Sequence, residues 1–425
     1  MLYYLLQWLE QTCGDFIGDQ LYKYISFRAG IALIISLIIT ILYGGRIIQF
    51  LKRLQVGESI RDLGLEGQKE KEGTPTMGGI IIIMAIVIPC LLVARLDNIY
   101  IILMLLTTSW MGIIGFIDDY IKVFKKDKEG LSGRFKILGQ VVLALIVGVV
   151  MLLSSDVKVR MDAVEAKAQQ YEIIGEPFWV DGSNDSNAEE SGQLELVYVK
   201  TTLTNVPFLK GHRLDYCWFL PFLGDNAAKF VWLIFIPLVI LIVTAVSNGA
   251  NLTDGIDGLA TGVCGIIGAT LGVLAYMSGN AIAAEYLNIL YLPGTGELLV
   301  FAACFVGACI GFLWYNAYPA QIFMGDTGSL TLGGIIAAFA IAIRVELLIP
   351  ILCGIILAEN LSVMIQVSYF KYTKRKYGEG RRVFLMSPLH HHYQKKGIHE
   401  AKIVARFWII GILLAALTFI TLKIR

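Results

Sequence analysis

The sequence predicts an all-α polytopic membrane protein with about ten transmembrane helices, both termini extracytoplasmic, and a small extracytoplasmic insertion that contains β-structure. Three observations support this fold class. Hydrophobic residues make up 56% of the 425 residues. Charged residues make up only 16%, whereas soluble proteins carry about a quarter. Apolar runs long enough to cross a hydrocarbon core of about 30 Å follow one another along the chain.

The apolar runs define the expected spans. Because their number is even, both termini lie on the same side of the membrane. The ten runs are Phe27–Ile48, Met77–Val93, Ile99–Ile117, Phe135–Leu153, Lys229–Val246, Gly258–Met277, Leu298–Trp314, Leu330–Ile343, Leu347–Phe370 and Phe407–Leu422.

Basic residues predict the orientation. The loops after the first and third spans, and the loop between the last two, are rich in Lys and Arg. Such loops remain in the cytoplasm, so the termini are expected outside. Lys122 and Lys136 are among these basic residues, and Lys136 contributes only to this assignment of the side.

The segment 156–226 differs in composition, because it is polar and richer in Asp and Glu than in Lys and Arg. A turn-forming stretch, Asp181–Asn187, is flanked by β-type residues, which indicates a hairpin on the outer face. A poorly ordered loop is the alternative. The expected strands are Tyr171–Ile174, Phe178–Val180 and Leu194–Thr202. The expected units are residues 1–155 (four spans), 156–226 (the insertion) and 227–425 (six spans).

Four polar clusters interrupt the apolar chain, all in predicted cytoplasmic loops or at cytoplasmic helix ends. Carboxylates, an Asn and a His triplet at the ends of hydrophobic helices indicate a site for a metal ion and phosphates. The clusters are Gly115-Phe-Ile-Asp118-Asp119-Tyr120, Asn251-Leu-Thr-Asp254-Gly-Ile-Asp257-Gly258, Phe323-Met-Gly-Asp326-Thr-Gly-Ser329 and Pro388-Leu-His390-His391-His392.

Asp118 and Asp119 follow an apolar run. Adjacent residues point about 100° apart on a helix, so one carboxylate can face a site while the other meets a lysine or its neighbour. A carboxylate at membrane depth is costly without compensation, and Mg²⁺ or a phosphate-bound cation is the simplest compensation. The alternative is a solvated helix end paired with Lys122.

Asn251, Asp254 and Asp257 recur every three residues, which on a helix makes neighbours of the two carboxylates. The alternative is that Thr253 or Asp254 caps the following span, although capping accounts for one residue and not for three.

Asp326 lies in a Gly-Asp-Thr-Gly-Ser sequence expected to open a helix. Backbone N–H groups, hydroxyls and a carboxylate together suit a hydrated Mg²⁺ bridging phosphates. Phe323 could stack on a nucleobase or contact the membrane interface, and Asn316 could bind a polar ligand or cap a turn.

The His390–His392 triplet lies in the most basic loop. Three consecutive residues cannot all face one ion, so phosphate binding by one or two is the preferred interpretation. Lys71 and Thr76 precede the second span in a loop that Pro and Gly keep non-helical. Glu359 and Gln366 share a face of the ninth span, either at a functional site or in a helix–helix hydrogen bond.

Together with Gly-Thr-Pro-Thr-Met-Gly-Gly before the second span, these motifs closely resemble the phospho-N-acetylmuramoyl-pentapeptide transferase family over nearly the whole chain. The resemblance implies ten spans, use of Mg²⁺, and transfer of phospho-MurNAc-pentapeptide from UDP to undecaprenyl phosphate. It also suggests a homodimer. We expect membrane lipids to contact the protein, and we expect no nucleic-acid partner. The insertion is longer than is usual in the family.

On this basis we expect Asp326 to bind Mg²⁺, supported by Asp118 and Asp119, and the resemblance implies that Asp118 acts as a base on the polyprenyl phosphate. A covalent phospho-enzyme is the competing mechanism, and direct attack is favoured. The expected phosphate, uridine and sugar contacts are Lys71, Thr76, Lys122, Lys126, Asn251, Asp254, Asp257, Asn316, Phe323, Gln366, His390, His391 and His392.

Two other functions compete. A related polyprenyl-phosphate GlcNAc-1-phosphate transferase shares the paired Asp and the Asn-x-x-Asp elements, whereas the His triplet favours the muramoyl-pentapeptide branch. A transporter predicts polar residues near mid-membrane in broken helices. Here the polar residues cluster at one surface, which argues against it.

Overall fold

The computed structural model describes residues 1–13, 21–54, 73–125, 127, 129–181, 193–208, 211 and 213–423. Helices dominate this part of the chain. The longer helices are α2 (Ile25–Arg53), α3 (Gly79–Val93), α4 (Ile99–Phe124), α5 (Gly133–Leu153), α8 (Trp232–Thr253), α9 (Leu259–Ser278), α11 (Leu298–Asn316), α12 (Gly325–Ala342), α14 (Gly354–Tyr377) and α16 (Glu400–Thr421). The shorter ones are α1 (Leu2–Cys13), α6 (Ala163–Ala168), α7 (Ala227–Phe230), α10 (Ala281–Leu287), α13 (Ile349–Leu352) and α15 (Leu389–Lys395).

Each predicted span coincides with a helix except Leu347–Phe370, which covers the bent pair α13 and α14, and the polytopic all-α fold class is confirmed. Among the described residues, eight helices are long and apolar enough to cross a membrane, or nine if the Glu346–Leu352 and Gly354–Tyr377 pair, bent by 77°, is one span. Helix α3 is equally apolar but has only 15 residues. The total of ten spans and the side of the termini therefore stay predictions. The helices α1 and α10 were not expected.

Helix α12 is the innermost span. In its apolar 18-residue stretch 89% of the residues are buried, compared with 28% in α2 and in α16. Small residues permit this enclosure. A Cβ on Gly79 of α3 would lie 2.1 Å from the backbone nitrogen of Gly328, and one on Gly115 of α4 would lie 2.4 Å from the carbonyl oxygen of Asp326. Close backbone approach at glycines is typical of membrane helix packing. These contacts place the acidic end of α4 against the start of α12.

The insertion contains a sheet, as predicted. Strands β1 (Val159–Asp162), β2 (Glu172–Asp181) and β3 (Gln193–Lys200) form an antiparallel sheet in the order β1-β3-β2. The β2–β3 pairing confirms the expected hairpin, whereas most of its predicted turn lies outside the described residues. Strands β4 (Leu203–Asn205) and β5 (Arg213–Asp215) form a second antiparallel pair.

The insertion is fixed to the membrane helices through Arg344, just beyond the end of α12. The Arg344 carbonyl oxygen accepts hydrogen bonds from the backbone N–H of Asn205 at 2.9 Å and from its side-chain amide at 3.0 Å. The Arg344 guanidinium donates to the carbonyls of Met151, at the end of α5, and Thr201. The sheets therefore lie at the end of the bundle where α5 and α12 finish, and the opposite end is left for the polar clusters.

Candidate active site

A cluster of two carboxylates and two ammonium groups forms where α4 ends and α5 and α12 begin. We call Asp118, Lys122, Lys136 and Asp326 the acid–lysine cluster. The Lys122 Nζ lies 2.7 Å from Asp118 Oδ2 and 3.1 Å from Asp326 Oδ2. The Lys136 Nζ lies 2.9 Å and 2.6 Å from the same two oxygens. Each lysine thus bridges both carboxylates.

Burial makes this pairing necessary. Asp118 is fully buried although α4 continues beyond it to Phe124, so it lies inside the helix and not at a solvated end. Its second oxygen accepts the Leu131 N–H at 2.7 Å. A buried carboxylate without such partners would be strongly destabilising. The Lys122 pairing that was the alternative to a site is present, but within a buried cluster.

Asp119 binds the start of α12 and caps it. Its Oδ1 accepts the Asp326 N–H at 3.0 Å, and its Oδ2 accepts the N–H and the hydroxyl of Thr327 at 2.8 and 2.5 Å. The first N–H groups of a helix have no partner within the helix, and a carboxylate there also suits the helix dipole. Asp119 therefore fixes the position of Asp326.

Asn251, in the last turn of α8, binds the other side of Asp326. Its amide donates to Asp326 Oδ1 at 2.8 Å and to Ser329 Oγ at 2.9 Å. The two oxygens of Asp326 are thus oriented separately, with Oδ1 toward the Asn251 amide and Oδ2 toward the two ammonium groups. The sequence placed Asn251 at the site, and the structure brings it there.

The segment of that motif from Asp254 to Gly258 is not helical, contrary to the geometry assumed from its spacing. Helix α8 ends at Thr253 and α9 begins at Leu259, capped by Gly258 with φ +77° and without a side-chain bond. Capping by Thr253 or Asp254 is therefore wrong. Asp254 lies half-buried in the connection between the helices.

Asp257 and Asn316 form hydrogen bonds that link the start of α9 to the loop before α12. Asp257 Oδ2 accepts the Ala320 N–H at 3.0 Å. Asn316 Oδ1 accepts the Gly258 N–H and the Thr261 hydroxyl, both at 3.1 Å, while its amide donates to the Ile322 carbonyl at 2.9 Å. These contacts join the start of α9 to the loop before α12.

The loop before α3 runs beside the start of α12. The Phe323 N–H donates to the Pro75 carbonyl at 2.8 Å, and the Gly78 N–H donates to the Phe323 carbonyl at 2.9 Å. Thr76 is buried, and a Cβ on Gly325 would lie 3.0 Å from its hydroxyl. Thr76 therefore borders the Asp119–Asp326 contact, and Phe323 is half-buried next to it. Lys71 and Lys126 lie outside the described residues.

The three histidines point to different partners. His390 is fully buried, with Nδ1 3.2 Å from Glu359 Oε2. His391 Nδ1 lies 2.6 Å from Gln394 Oε1. His392 Nδ1 accepts the Leu385 N–H at 3.1 Å. Partial burial and the charge of Lys396 lower the pKa of His392, which keeps Nδ1 available as an acceptor.

Glu359 and Gln366 hold the histidine-bearing loop from one face of α14. Glu359 accepts the N–H groups of Leu389 at 2.7 Å and of His390 at 3.2 Å. Gln366 Oε1 accepts the N–H groups of Val383 at 3.1 Å and Phe384 at 2.9 Å. Glu359 contacts the first residues of α15, so the helix–helix hydrogen bond considered from the sequence is present. The uridine contact expected for Gln366 stays a prediction.

The histidine loop and the Asn251 segment meet at Gly255. A Cβ on Gly255 would lie 2.2 Å from His390 Nε2. Since Asn251 is only four positions earlier, the loop packs next to the acid–lysine cluster. The structure thus brings all four polar motifs to one end of the bundle.

Sequence reasoning missed Lys136 and Ser329 as parts of this arrangement, and it left the role of Glu359 open. Lys136 had been used only to orient the loop, although a lysine in the first turn of a span, after an acidic helix end, was a usable signal. Ser329 lay inside a quoted motif. Glu359 was noticed, but nothing in the sequence shows that it binds the backbone of residues 30 positions away.

Three carboxylates of the site could hold a metal ion. The ligand oxygens of Asp118, Asp119 and Asp326 lie within 4.8 Å of one another. An all-oxygen ligand set suits Mg²⁺ rather than a soft transition metal. Two ammonium groups lie beside these carboxylates, so a bound divalent cation would give the site a net positive charge that suits a phosphate.

Comparisons with known proteins agree with this geometry. A family model described as Glycosyl transferase family 4 matches residues 196–344. A second, described as Phospho-N-acetylmuramoyl-pentapeptide-transferase signature 1, matches residues 71–83, which include Thr76.

Full-length relatives carry the same description. The chain is 57% identical to the phospho-N-acetylmuramoyl-pentapeptide-transferase of Flavobacterium psychrophilum and 57% identical to that of Parabacteroides distasonis. It is 51% identical to that of Porphyromonas gingivalis. All three alignments cover 100% of both chains. The resemblance inferred from the motifs is confirmed: this chain is a multi-pass membrane enzyme, a phosphoglycosyl transferase, and belongs to the phospho-N-acetylmuramoyl-pentapeptide-transferase family.

Proposed function

We propose that this protein transfers phospho-MurNAc-pentapeptide from UDP-MurNAc-pentapeptide to undecaprenyl phosphate, giving lipid I and UMP for peptidoglycan synthesis. The observation that carries the proposal is the acid–lysine cluster, buried at one end of a membrane bundle and bordered by the motif matched to the family signature. A lipid phosphate and a water-soluble nucleotide can both reach such a site, because it lies where helices end.

The reaction is a displacement at phosphorus. An oxygen of the lipid phosphate forms a bond to the β-phosphorus of the donor. The bond from that phosphorus to the bridging oxygen breaks, and this oxygen leaves on UMP. A phosphate monoester loses its second proton with a pKa of about 6, so the nucleophile is already largely dianionic at neutral pH. Direct attack therefore needs positioning and charge neutralisation more than a base.

The two lysines supply fixed positive charge for this step. We assign Lys122 and Lys136 to the phosphate oxygens of the substrates, with Asp118 and Asp326 holding both ammonium groups in place. Charge stabilisation by preorganised groups is commonly the largest contribution to catalysis. Asp119 contributes by fixing the backbone of Asp326.

Mg²⁺ is the cofactor that we propose. Asp326 and Asp118 would hold it, with Asp119 nearby, because their oxygens converge within 4.8 Å. When bound, the ion neutralises the pyrophosphate and the departing UMP oxygen.

The nucleotide and sugar contacts divide into two kinds. We propose that Lys71, Thr76, Lys126, Asn251, Asp254, Phe323, His391 and His392 contact the donor. Four other residues expected to contact the donor accept backbone N–H groups or are buried, and we propose that they shape the site: Asp257, Asn316, Gln366 and His390.

The same proposal includes the domain limits 1–155, 156–226 and 227–425. It also includes the cytoplasmic position of the site and a homodimer.

The test follows UMP release by the purified protein in detergent with Mg²⁺ and undecaprenyl phosphate. UDP-MurNAc-pentapeptide and UDP-GlcNAc are offered separately, with and without EDTA. We expect UMP from the first donor only and its loss with EDTA. Release from UDP-GlcNAc would assign the chain to the neighbouring branch, and release that survives EDTA would exclude the metal. We expect Asp326→Asn to abolish UMP release. Glu129→Gln, at an exposed position near the site, is its matched control.

A further inference from the structure

A second polar layer lies one helical turn deeper in the membrane than the acid–lysine cluster. We call Gln140, Ser247 and Asn248 the amide layer. Gln140 Oε1 accepts the Asn248 amide at 2.8 Å, and its Nε2 lies 3.4 Å from Ser247 Oγ. The Ser247 hydroxyl donates to the Leu330 carbonyl of α12 at 3.3 Å. The layer therefore connects α5, α8 and α12.

The same three helices carry the site above it. On each helix, a residue of the amide layer or its partner lies four positions from a residue of the site, which is about one turn. Residues four apart lie on one helix face. The pairs are Lys136 and Gln140 on α5, Ser247 and Asn251 on α8, and Asp326 and Leu330 on α12.

Gln140 is unusual for its position. It is the only polar side chain of α5 after Lys136, and it is fully buried. Burying an amide in an apolar setting is unfavourable unless it is hydrogen-bonded, and a Leu or Met would fill the same space. Its hydrogen bonds are directional, unlike apolar packing, so they fix how far α5 slides and turns against α8.

The position of α5 relative to α8 matters because both helices contact Asp326. Lys136 of α5 contacts Oδ2 at 2.6 Å, whereas Asn251 of α8 contacts Oδ1 at 2.8 Å. A shift of α5 against α8 would carry one of these contacts away from Asp326.

We propose that Gln140 is a positioning residue for the transferase, which sets Lys136 against Asp326 by holding α5 to α8. This inference rests on the proposed function, since it acts through Lys136. Misplacement of a reacting group by about 1 Å can reduce a rate substantially.

The experiment is a double-mutant cycle with Gln140→Met and Lys136→Met, measured as UMP release. We expect Gln140→Met to lower kcat by about tenfold while the KM for the nucleotide donor stays within about twofold. In the Lys136→Met background, the same change should cost less than about twofold, because Lys136 is no longer there to be positioned. Equal losses in both backgrounds, or no effect of Lys136→Met, would overturn the inference. Leu143→Met, a buried apolar change on the same helix, is the control.

A second measurement does not depend on turnover. Acylation of Lys136 by an amine-reactive ester, followed by mass spectrometry, should be faster in Gln140→Met than in the parent protein or in Leu143→Met. The parent's failure to release UMP would reject the proposed function, and unchanged Lys136 acylation would reject this inference separately. If Gln140→Met does not fold, Asn248→Leu removes the same hydrogen bond from α8 and should give the same pattern.

Discussion

The Lys136 ammonium lies 2.6 Å from Asp326 Oδ2, although the two residues are 190 positions apart. Lys136 is only 18% exposed and contacts Asp118 as well. It is therefore a fixed charge inside the site and not a mobile surface lysine.

Replacing Lys136 by Met tests this charge. Met keeps the length of the chain and removes the ammonium, so we expect kcat to fall by about a hundredfold. The melting temperature should fall as well, because the buried Asp118 carboxylate keeps only Lys122 as an ammonium partner. UMP release and a melting curve measure the two effects. Arg134→Met, two residues earlier and exposed, is the matched control. Equal activity in both variants would show that Lys136 only orients the loop.

Replacing Asp119 by Asn tests the capping of α12. Loss of one carboxylate acceptor and of the charge at the helix start should destabilise the fold by about 1–2 kcal/mol, as for other N-caps. The measurement is the melting temperature in detergent, with Glu129→Gln as an exposed acidic control. A variant that melts like the parent but loses Mg²⁺-dependent activity would make Asp119 a metal ligand and not a cap.

Replacing Gln366 by Leu tests how the histidine loop is held. The Val383 and Phe384 N–H groups lose their acceptor, so the loop should open more often and trypsin should cleave faster after Arg381 and Arg382. Met364→Leu, on an exposed face of the same helix, is the control. Unchanged cleavage with weaker donor binding would instead support the uridine contact predicted from the sequence.

Replacing Gly255 by Ala tests the packing of His390. The added Cβ would lie 2.2 Å from His390 Nε2, so we expect lower stability and lower activity. His390→Ala in the same chain removes the overlapping ring and should restore much of the melting temperature. A double variant no more stable than Gly255→Ala would show that the two residues do not determine each other's position.

Replacing Asn205 by Ala tests the attachment of the insertion. The buried Leu290 N–H loses its acceptor, and the Arg344 carbonyl loses a donor. An unsatisfied buried polar group costs about 1–3 kcal/mol, so the melting temperature should fall. UMP release below that temperature should be unchanged, because the insertion is at the other end of the bundle. Asn226→Ala, at an exposed position, is the control.

Local patterns were sufficient for much of the fold. The apolar runs predicted every long helix, because a membrane requires about 20 apolar residues and a helix that satisfies its own backbone. β-Type residues on both sides of a turn-forming stretch predicted the β2–β3 hairpin. Helix ends were less well predicted: α4 passes seven residues beyond the predicted end at Ile117 to reach Phe124. Its last turns are polar because they enter the site, so hydropathy could not include them.

The site was predicted in composition but not in arrangement. Asp118, Asn251 and Asp326 were named from sequence, and they meet as expected. The different roles of Asp118 and Asp119 were not predictable, because adjacent carboxylates have the same local chemistry and only their facing helices distinguish them. The different positions of the three histidines were not predictable either, because the burial of His390 depends on Glu359 and Gly255, which are distant in the sequence.

By itself, the sequence determined the fold class, the polar motifs and the family, because hydropathy and motif spacing are local properties of the chain. Only the tertiary structure decided that Lys136 faces Asp326, that Asp119 caps α12 and that Gln140 joins α5 to α8. These are contacts between distant segments whose geometry is set by close packing at glycines such as Gly79 and Gly115. The direction of a side chain across a helix interface depends on that packing, which no local pattern encodes.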